Sequence, residues 1–176
     1  MNLQDNVNNS LVKILTGYNQ PAFGRKNSQL PPLAILTRNH DTQKFSITCH
    51  YLQIAFNYDL SMVYSVLPSI PYDDRIIIEA GTPFIKKEGM NGIKAIASLW
   101  PGKIVADMKV LDGAEAEVAM AVQAGATAIT VAGNAPPETI DIFINACEKN
   151  EVASMIDLIN VEEPLDVMRS IKQLLK

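Results

Sequence analysis

After residue 50 the chain alternates short apolar segments with helix-like patterns, and this repeat constrains the fold more than any other feature of the sequence. The apolar segments are rich in β-branched residues and begin roughly 23 to 28 residues apart. Nearly continuous apolar segments of this kind are typical of parallel strands that helices cover on both faces. The pattern predicts five such strands: Leu52–Phe56, Arg75–Ile78, Lys103–Ala106, Ala126–Val131 and Val152–Ile156.

A helical pattern follows each predicted strand, because apolar residues recur there at intervals of three and four. Repeated βα units predict a parallel sheet with right-handed crossovers. Such a sheet is either open and doubly wound or closed into an eight-stranded barrel. A dinucleotide-binding sheet finds no support, since no G-x-G-x-x-G motif follows the first strand. The predicted helices lie within residues 60–67, 93–100, 116–124, 139–146 and 165–175.

Residues 1–50 differ from the rest of the chain, because they are rich in Asn, Gln and Pro. A short helical pattern covers Leu11–Leu15, and Leu33–Leu36 has the character of a strand. The composition is typical of a poorly packed extension, and no motif in it indicates a function. We therefore divide the chain into an N-terminal extension, residues 1–50, and a βα domain, residues 51–176.

The overall composition indicates a globular protein, with 48% hydrophobic and 19% charged residues. A net charge of −4 argues against nucleic-acid binding, which usually requires a basic surface. Cys49 and Cys147 form neither a disulfide framework nor a zinc-binding spacing. The sequence has no signal peptide and no apolar window approaching about 18 residues, so we expect a cytoplasmic protein that does not contact membranes.

Polar side chains follow the predicted strands at the positions where βα barrels carry their catalytic groups. Carboxylates that converge at one edge of a sheet require a counter-charge, which a lysine together with a divalent cation would supply. Their hard oxygen atoms favour Mg²⁺ over zinc. The residues are Asn57 and Asp59 after the first strand, Glu79 after the second, Asp107, Lys109 and Asp112 after the third, and Asp157 after the fifth.

The most specific motif is D-x-K-x-x-D, which runs from Asp107 to Asp112. In a strand, Asp107 and Lys109 point to the same side, so their charges share one pocket. The carboxylate favours the charged form of the lysine, and such an ammonium can stabilise an enediolate or protonate a carbanion. A second motif, E-A-G-T-P from Glu79 to Pro83, has the pattern of a metal ligand followed by a substrate-binding loop.

In this order and spacing, the two motifs resemble the orotidine-5′-phosphate decarboxylase superfamily. The D-x-K-x-x-D element is typical of the superfamily as a whole. The element E-A-G-T-P-x-I-K-x-E-G at residues 79–89 narrows the resemblance to the 3-hexulose-6-phosphate synthases and their relatives, the 3-keto-L-gulonate-6-phosphate decarboxylases. Residues 52–55, 125–131 and 155–161 extend the resemblance to essentially the whole chain after residue 50.

The resemblance implies an α/β fold, the TIM-type (β/α) barrel, usually as a homodimer with Mg²⁺ and a phosphorylated ketose substrate. Glu79 and Asp107 would form the metal site, and Lys109 would stabilise the enediolate of the substrate. Thr82 would contact the substrate, and Asp112 would reach the active site of the partner subunit. In the synthases, the enediolate of ribulose 5-phosphate attacks formaldehyde in a reversible reaction.

Two departures from the family pattern leave alternatives open. Asn57 stands where the family has an aspartate after the first strand, while Asp157 matches the acidic residue after strand five. We assign Asn57 and Asp157 to substrate binding.

The second departure is length, because only about five of the eight βα units of a barrel of about 250 residues are found. The histidine and arginine of strand six and the glycine-rich phosphate site have no counterpart in the sequence. We therefore expect a homodimer, or a partner that completes the barrel, with part of residues 1–50 shielding an exposed sheet edge. The alternative functions are decarboxylation of a sugar or nucleotide phosphate, or a catalytically inactive truncated barrel.

Overall fold

All five predicted strands form in the computed structural model, which describes residues 11–14, 33–37 and 50–171. The strands are β1 (Leu11–Ile14), β2 (Leu33–Thr37), β3 (Leu52–Phe56), β4 (Ile76–Ala80), β5 (Lys103–Val110), β6 (Ala128–Ala132) and β7 (Ala153–Asp157). The helices are α1 (Leu60–Val66), α2 (Thr82–Leu99), α3 (Ala114–Gln123), α4 (Pro137–Lys149) and α5 (Pro164–Ser170). A 3₁₀ turn, Leu67–Ser69, extends α1.

The described strands form one sheet in the order β1-β2-β7-β6-β5-β4-β3. Strands β3 to β7 are parallel to one another, and a helix connects each one to the next. Their carboxyl ends therefore lie along the same edge of the sheet. This is the partial TIM-type barrel architecture that the sequence predicts, in which that edge carries the functional groups.

The N-terminal segment contributes two strands, and one prediction made for it is wrong. Leu11–Ile14 is a strand that pairs antiparallel with β2, not the first turns of a helix, and Leu15 lies outside the described residues. The strand predicted at Leu33–Leu36 is confirmed as β2. It pairs antiparallel with β7 and so covers that edge of the parallel sheet. A four-residue apolar pattern cannot distinguish helix from strand, because the partner that decides the outcome is distant in sequence.

The core forms where the apolar faces of the helices meet the sheet. Every strand from β3 to β7 contributes buried side chains. Most belong to a cluster that the helices α1 to α4 cover. A second, smaller cluster contains no helix residue and consists of Ile77, Val105, Ala128 and Met155. Cys147 on α4 belongs to this core, and burial raises the pKa of its thiol far above the ordinary range. The largest fully buried side chains are Phe84, Phe143, Leu67, Ile77, Ile78, Ile93, Ile96, Ile129, Ile140, Met155 and Ile156.

Helix α2 begins much earlier than the apolar pattern indicates. It starts at Thr82, directly after β4, with Pro83 in its first turn, where a missing N–H costs nothing. Gly89 has a φ of 61° and a ψ of −154° and breaks the helix into two parts, which explains why only the second part shows a regular pattern. Although α2 has 18 residues, none of the described helices is long and apolar enough to cross a membrane.

Gly125 ends α3 in a conformation that other residues rarely adopt. Its φ is +100°, and a Cβ built there would lie 2.6 Å from the Cβ of Ala97. We expect Gly125→Ala to lower the free energy of unfolding by about 2–3 kcal/mol, because the variant adds backbone strain and a steric clash. Urea denaturation measures the change. The control is Gly113→Ala, where φ is −69° and the nearest atom would be 3.4 Å away; an equal loss in both variants would contradict the argument.

Candidate active site at the carboxyl edge of the sheet

Four charged side chains predicted from the sequence converge at the carboxyl ends of β4, β5 and β7. Glu79 lies on β4, Asp107 and Lys109 on β5, and Asp157 ends β7. Lys109 is central, because its ammonium nitrogen Nζ lies 3.1 Å from the Asp107 carboxylate and donates a hydrogen bond to Oδ2 of Asp157. The sheet therefore brings together residues that are far apart in the sequence, from Glu79 to Asp157.

The surroundings of Lys109 keep its side chain protonated. Its two carboxylate partners are largely withdrawn from solvent, with side chains 13% exposed for Asp107 and 6% for Asp157, whereas Lys109 is 33% exposed. Desolvation works against the charged form of Lys109, but the hydrogen bond to Asp157 and the charge of Asp107 outweigh it, so the pKa of Lys109 is raised. The site thus contains a fixed positive charge that remains accessible from the open edge of the sheet.

Lys109 reaches this position through an irregularity in β5. The register between β5 and β6 shifts between Ala106 and Val110, and Lys109 itself has a φ of 49°. A left-handed conformation is unfavourable for a lysine, and such backbone strain concentrates at functional sites. The predicted convergence of Asp107 and Lys109 is therefore present, but it arises from a distortion of the strand and not from regular alternation.

Two threonine hydroxyls complete the hydrogen bonding of Asp107. Thr130 on β6 donates to Oδ1 of Asp107 at 2.9 Å, and its oxygen accepts the backbone N–H of Lys109 at 2.9 Å. The Thr82 hydroxyl lies 2.7 Å from Oδ2 and 2.8 Å from the backbone oxygen of Asp107. Thr130 was not predicted as a site residue, although a single buried hydroxyl in an otherwise apolar strand is a signal for one.

Glu79 occupies a less favourable environment than the two aspartates. Burial raises its pKa, the charges of Asp107 and Asp157 add to the rise, and Gln53 and Lys109 act against it. Its carboxylate atom Oε2 accepts a hydrogen bond of 2.5 Å from Nε2 of Gln53 on β3. Gln53 was not singled out from the sequence. Glu79 is therefore a partly buried carboxylate that would gain from an additional cation.

The remaining predicted residues lie around this cluster. The Asn57 amide packs against Gly81, where a Cβ would overlap it, so a side chain at position 81 is excluded. Asp112 is exposed and accepts the N–H of Gly113 at 2.6 Å, without reaching the cluster. Asp59 caps α1 by accepting the N–H of Met62 at 3.1 Å.

Asp59 consequently does not replace the charge that Asn57 lacks. Hydrogen bonds from the Ser61 hydroxyl and from the backbone of Met62 lower the pKa of Asp59 to about 2, and Lys87 adds to the effect. Its carboxylate thus serves the start of α1 and an exposed ion pair with Lys87, 3.2 Å away.

The charge balance of the cluster fits a divalent cation. When ionised, Glu79, Asp107 and Asp157 carry three negative charges against the single positive charge of Lys109. Within the described ranges, no group of three His, Cys, Asp or Glu side chains could hold a metal ion alone. Mg²⁺ commonly binds through one or two carboxylates and completes its coordination with water and substrate oxygens, so Glu79 and Asp107 suit it.

Several known proteins are similar in sequence and in fold to the βα part of this chain. The bifunctional enzyme Fae/Hps of Methanospirillum hungatei is 45% identical over 124 residues, covering 69% of this chain and 32% of that protein. The chain thus spans about a third of the length of the curated relatives it matches.

Two solved structures show the same architecture. The 3-hexulose-6-phosphate synthase from Salmonella typhimurium superimposes with a TM-score of 0.65 at 32% identity, covering 70% of this chain and 59% of that one. The 3-keto-L-gulonate-6-phosphate decarboxylase from Vibrio cholerae has a TM-score of 0.63 at 26% identity, covering 71% and 58% of the two chains.

The βα part of the chain as a whole, and not only its motifs, carries the family likeness. Residues 51–176 match the family model described as orotidine 5′-phosphate decarboxylase / HUMPS family. This segment includes all four charged residues of the cluster and the strands that position them. The chain therefore belongs to the orotidine 5′-phosphate decarboxylase / HUMPS family.

Proposed function

We propose that this chain carries the lysine-bearing and metal-binding part of a 3-hexulose-6-phosphate synthase, which reversibly condenses formaldehyde with ribulose 5-phosphate. The observation that carries the proposal is the Lys109 ammonium, held between Asp107 and Asp157 at the carboxyl edge of the sheet. Identity of 45% to a Fae/Hps enzyme and of 32% to the Salmonella synthase supports this reaction over decarboxylation.

Lys109 suits the charge that this reaction develops. The ketose loses a proton from the carbon beside its carbonyl group, and the resulting enediolate carries negative charge on oxygen. That carbon then bonds to the carbon of formaldehyde, whose oxygen takes up a proton. A lysine that stays protonated and is pre-oriented by two carboxylates stabilises the enediolate without further reorganisation.

The neighbouring side chains divide the remaining tasks. Glu79 and Asp107 would hold Mg²⁺, which when bound supplies Lewis-acid polarisation of the substrate carbonyl. Thr82 holds the Asp107 carboxylate in place through its hydroxyl, and from this position beside Asp107 it would contact the substrate. The Asn57 amide can donate and accept hydrogen bonds to substrate hydroxyls. Asp157 fixes the direction of the Lys109 side chain.

Asp112 has a different role in this proposal. Its side chain is exposed after β5 and accepts a hydrogen bond from the backbone N–H of Gly113. We therefore assign Asp112 to the active site of a second subunit in a homodimer, in keeping with the family resemblance. The proposed substrate is a phosphorylated ketose, bound at the open edge of the sheet.

The test measures consumption of formaldehyde in the presence of ribulose 5-phosphate, with and without Mg²⁺. Two proteins are assayed: the 176-residue chain, and residues 51–176 fused to the part of the Salmonella synthase that this segment does not match. We expect Mg²⁺-dependent activity in the fusion and a loss of about 10²–10³-fold in Lys109→Ala, because the enediolate loses its positive partner. Lys94→Ala, an exposed change on α2, is the matched control.

The result separates the candidate functions. Release of carbon dioxide from 3-keto-L-gulonate 6-phosphate, without formaldehyde consumption, would replace the synthase with a decarboxylase. A folded fusion without either activity would identify the segment as a catalytically inactive barrel part.

A further inference from the structure

Gln53 makes a contact that the packing of the sheet does not require. Its side chain crosses from β3 to β4, where Nε2 donates a hydrogen bond of 2.5 Å to Oε2 of Glu79. Among the described residues, this is the hydrogen bond that holds the Glu79 carboxylate. The other amide atom of Gln53, Oε1, is buried and has no hydrogen-bond partner in the described part of the chain.

The cost of this arrangement indicates a function. A buried amide oxygen without a partner destabilises a protein by about 1–3 kcal/mol, and an apolar side chain of similar size would avoid that cost. Position 53 lies in the apolar strand Leu52–Phe56 and pairs with Ile77 of β4, so a residue such as methionine would fit the strand. Stability alone therefore does not explain a glutamine here.

We propose that Gln53 is a positioning residue for the metal site, which orients the Glu79 carboxylate towards Mg²⁺; this inference rests on the proposed magnesium site. By holding Oε2, the amide limits rotation of the carboxylate and leaves Oε1 of Glu79 free for a cation. The unpartnered Oε1 of Gln53 then offers an acceptor for a water molecule beside the ion. Groups that orient metal ligands in this way typically change metal affinity by about 10–100-fold when removed.

The experiment is a calorimetric titration of the 176-residue chain with Mg²⁺ at pH 8, combined with thermal unfolding without metal. In Gln53→Met we expect the Kd for Mg²⁺ to rise about 10–100-fold, with an unfolding temperature equal to or above that of the unchanged chain. Gln123→Met, an exposed change at the end of α3, is the control and should alter neither quantity. Glu79→Gln is measured in parallel and should remove most of the binding.

The outcomes distinguish this proposal from the one on which it depends. If Glu79→Gln leaves Mg²⁺ binding unchanged, the magnesium site itself is wrong and the role of Gln53 falls with it. If Glu79→Gln abolishes binding but Gln53→Met retains the original Kd, only the positioning role is overturned. A Gln53→Met chain that unfolds at a clearly lower temperature without metal would show a structural role and would also overturn the proposal.

Discussion

Lys109→Met should lower the free energy of unfolding by about 3–5 kcal/mol, the usual cost of removing one partner from a buried ionic group. The lysine is the positive charge in contact with both Asp107 and Asp157, whose side chains are 13% and 6% exposed. Without Lys109, the carboxylates of Asp107 and Asp157 lose their counter-charge, and the nearby carboxylate of Glu79 adds a further negative charge. Urea denaturation at pH 8 without Mg²⁺ measures the loss.

Two further variants test the cause of this loss. Lys109→Met combined with Asp157→Asn removes one of the stranded negative charges, so part of the lost stability should return. Lys94→Met removes an exposed lysine from α2 and should change stability by less than about 0.5 kcal/mol. If the double variant were no more stable than Lys109→Met, the loss would come from packing of the lysine stem and not from its charge.

Glu79→Gln is expected to change stability in opposite directions with and without Mg²⁺. Without metal, the variant removes a partly buried carboxylate and should be more stable by about 1–2 kcal/mol at pH 8. With Mg²⁺ at about 100 times its Kd, the unchanged chain should gain about 2.7 kcal/mol, and the variant should gain almost nothing. Thermal unfolding with and without excess Mg²⁺ measures both effects, and Glu162→Gln, an exposed change, is the control.

The pH dependence provides an independent check on Glu79. Because the pKa of Glu79 is raised above its ordinary value of 4.5 in the folded chain, the folded state holds more protons than the unfolded state between the two pKa values. Stability contributed by this group therefore falls as pH increases from 4.5 to the raised pKa. Glu79→Gln should remove this fall in the metal-free chain. An identical pH profile in both proteins would mean that Glu79 is well solvated.

Most of the charged cluster could be predicted because it depends on local features of the sequence. Each apolar segment has the length of a strand, and the polar residue that follows it marks the carboxyl end. Parallel strands connected by helices place those ends together, so Glu79, Asp107, Lys109 and Asp157 were expected to meet. The structure brings them together as expected.

The side chains that support the cluster could not be found in the same way. Gln53 and Thr130 lie inside apolar strands, where a single polar residue stands out but nothing nearby in the sequence shows what it contacts. Their roles depend on which side chains face them across the sheet, and the strand register decides that. Asn57 and Asp112 were singled out from the sequence, but in the folded chain they lie beside Gly81 and at the surface, outside the ionic contacts of Lys109.

By itself, the sequence determined the repeating βα units, the edge of the sheet where the charges gather and the family to which the chain belongs. These follow from periodic burial and from short motifs, both of which are local along the chain. Only the tertiary structure decided the left-handed backbone at Lys109, its hydrogen bond to a residue 48 positions away and the pairing of β2 with β7. Distortions and pairings of this kind are stabilised by contacts between distant segments, which no local pattern encodes.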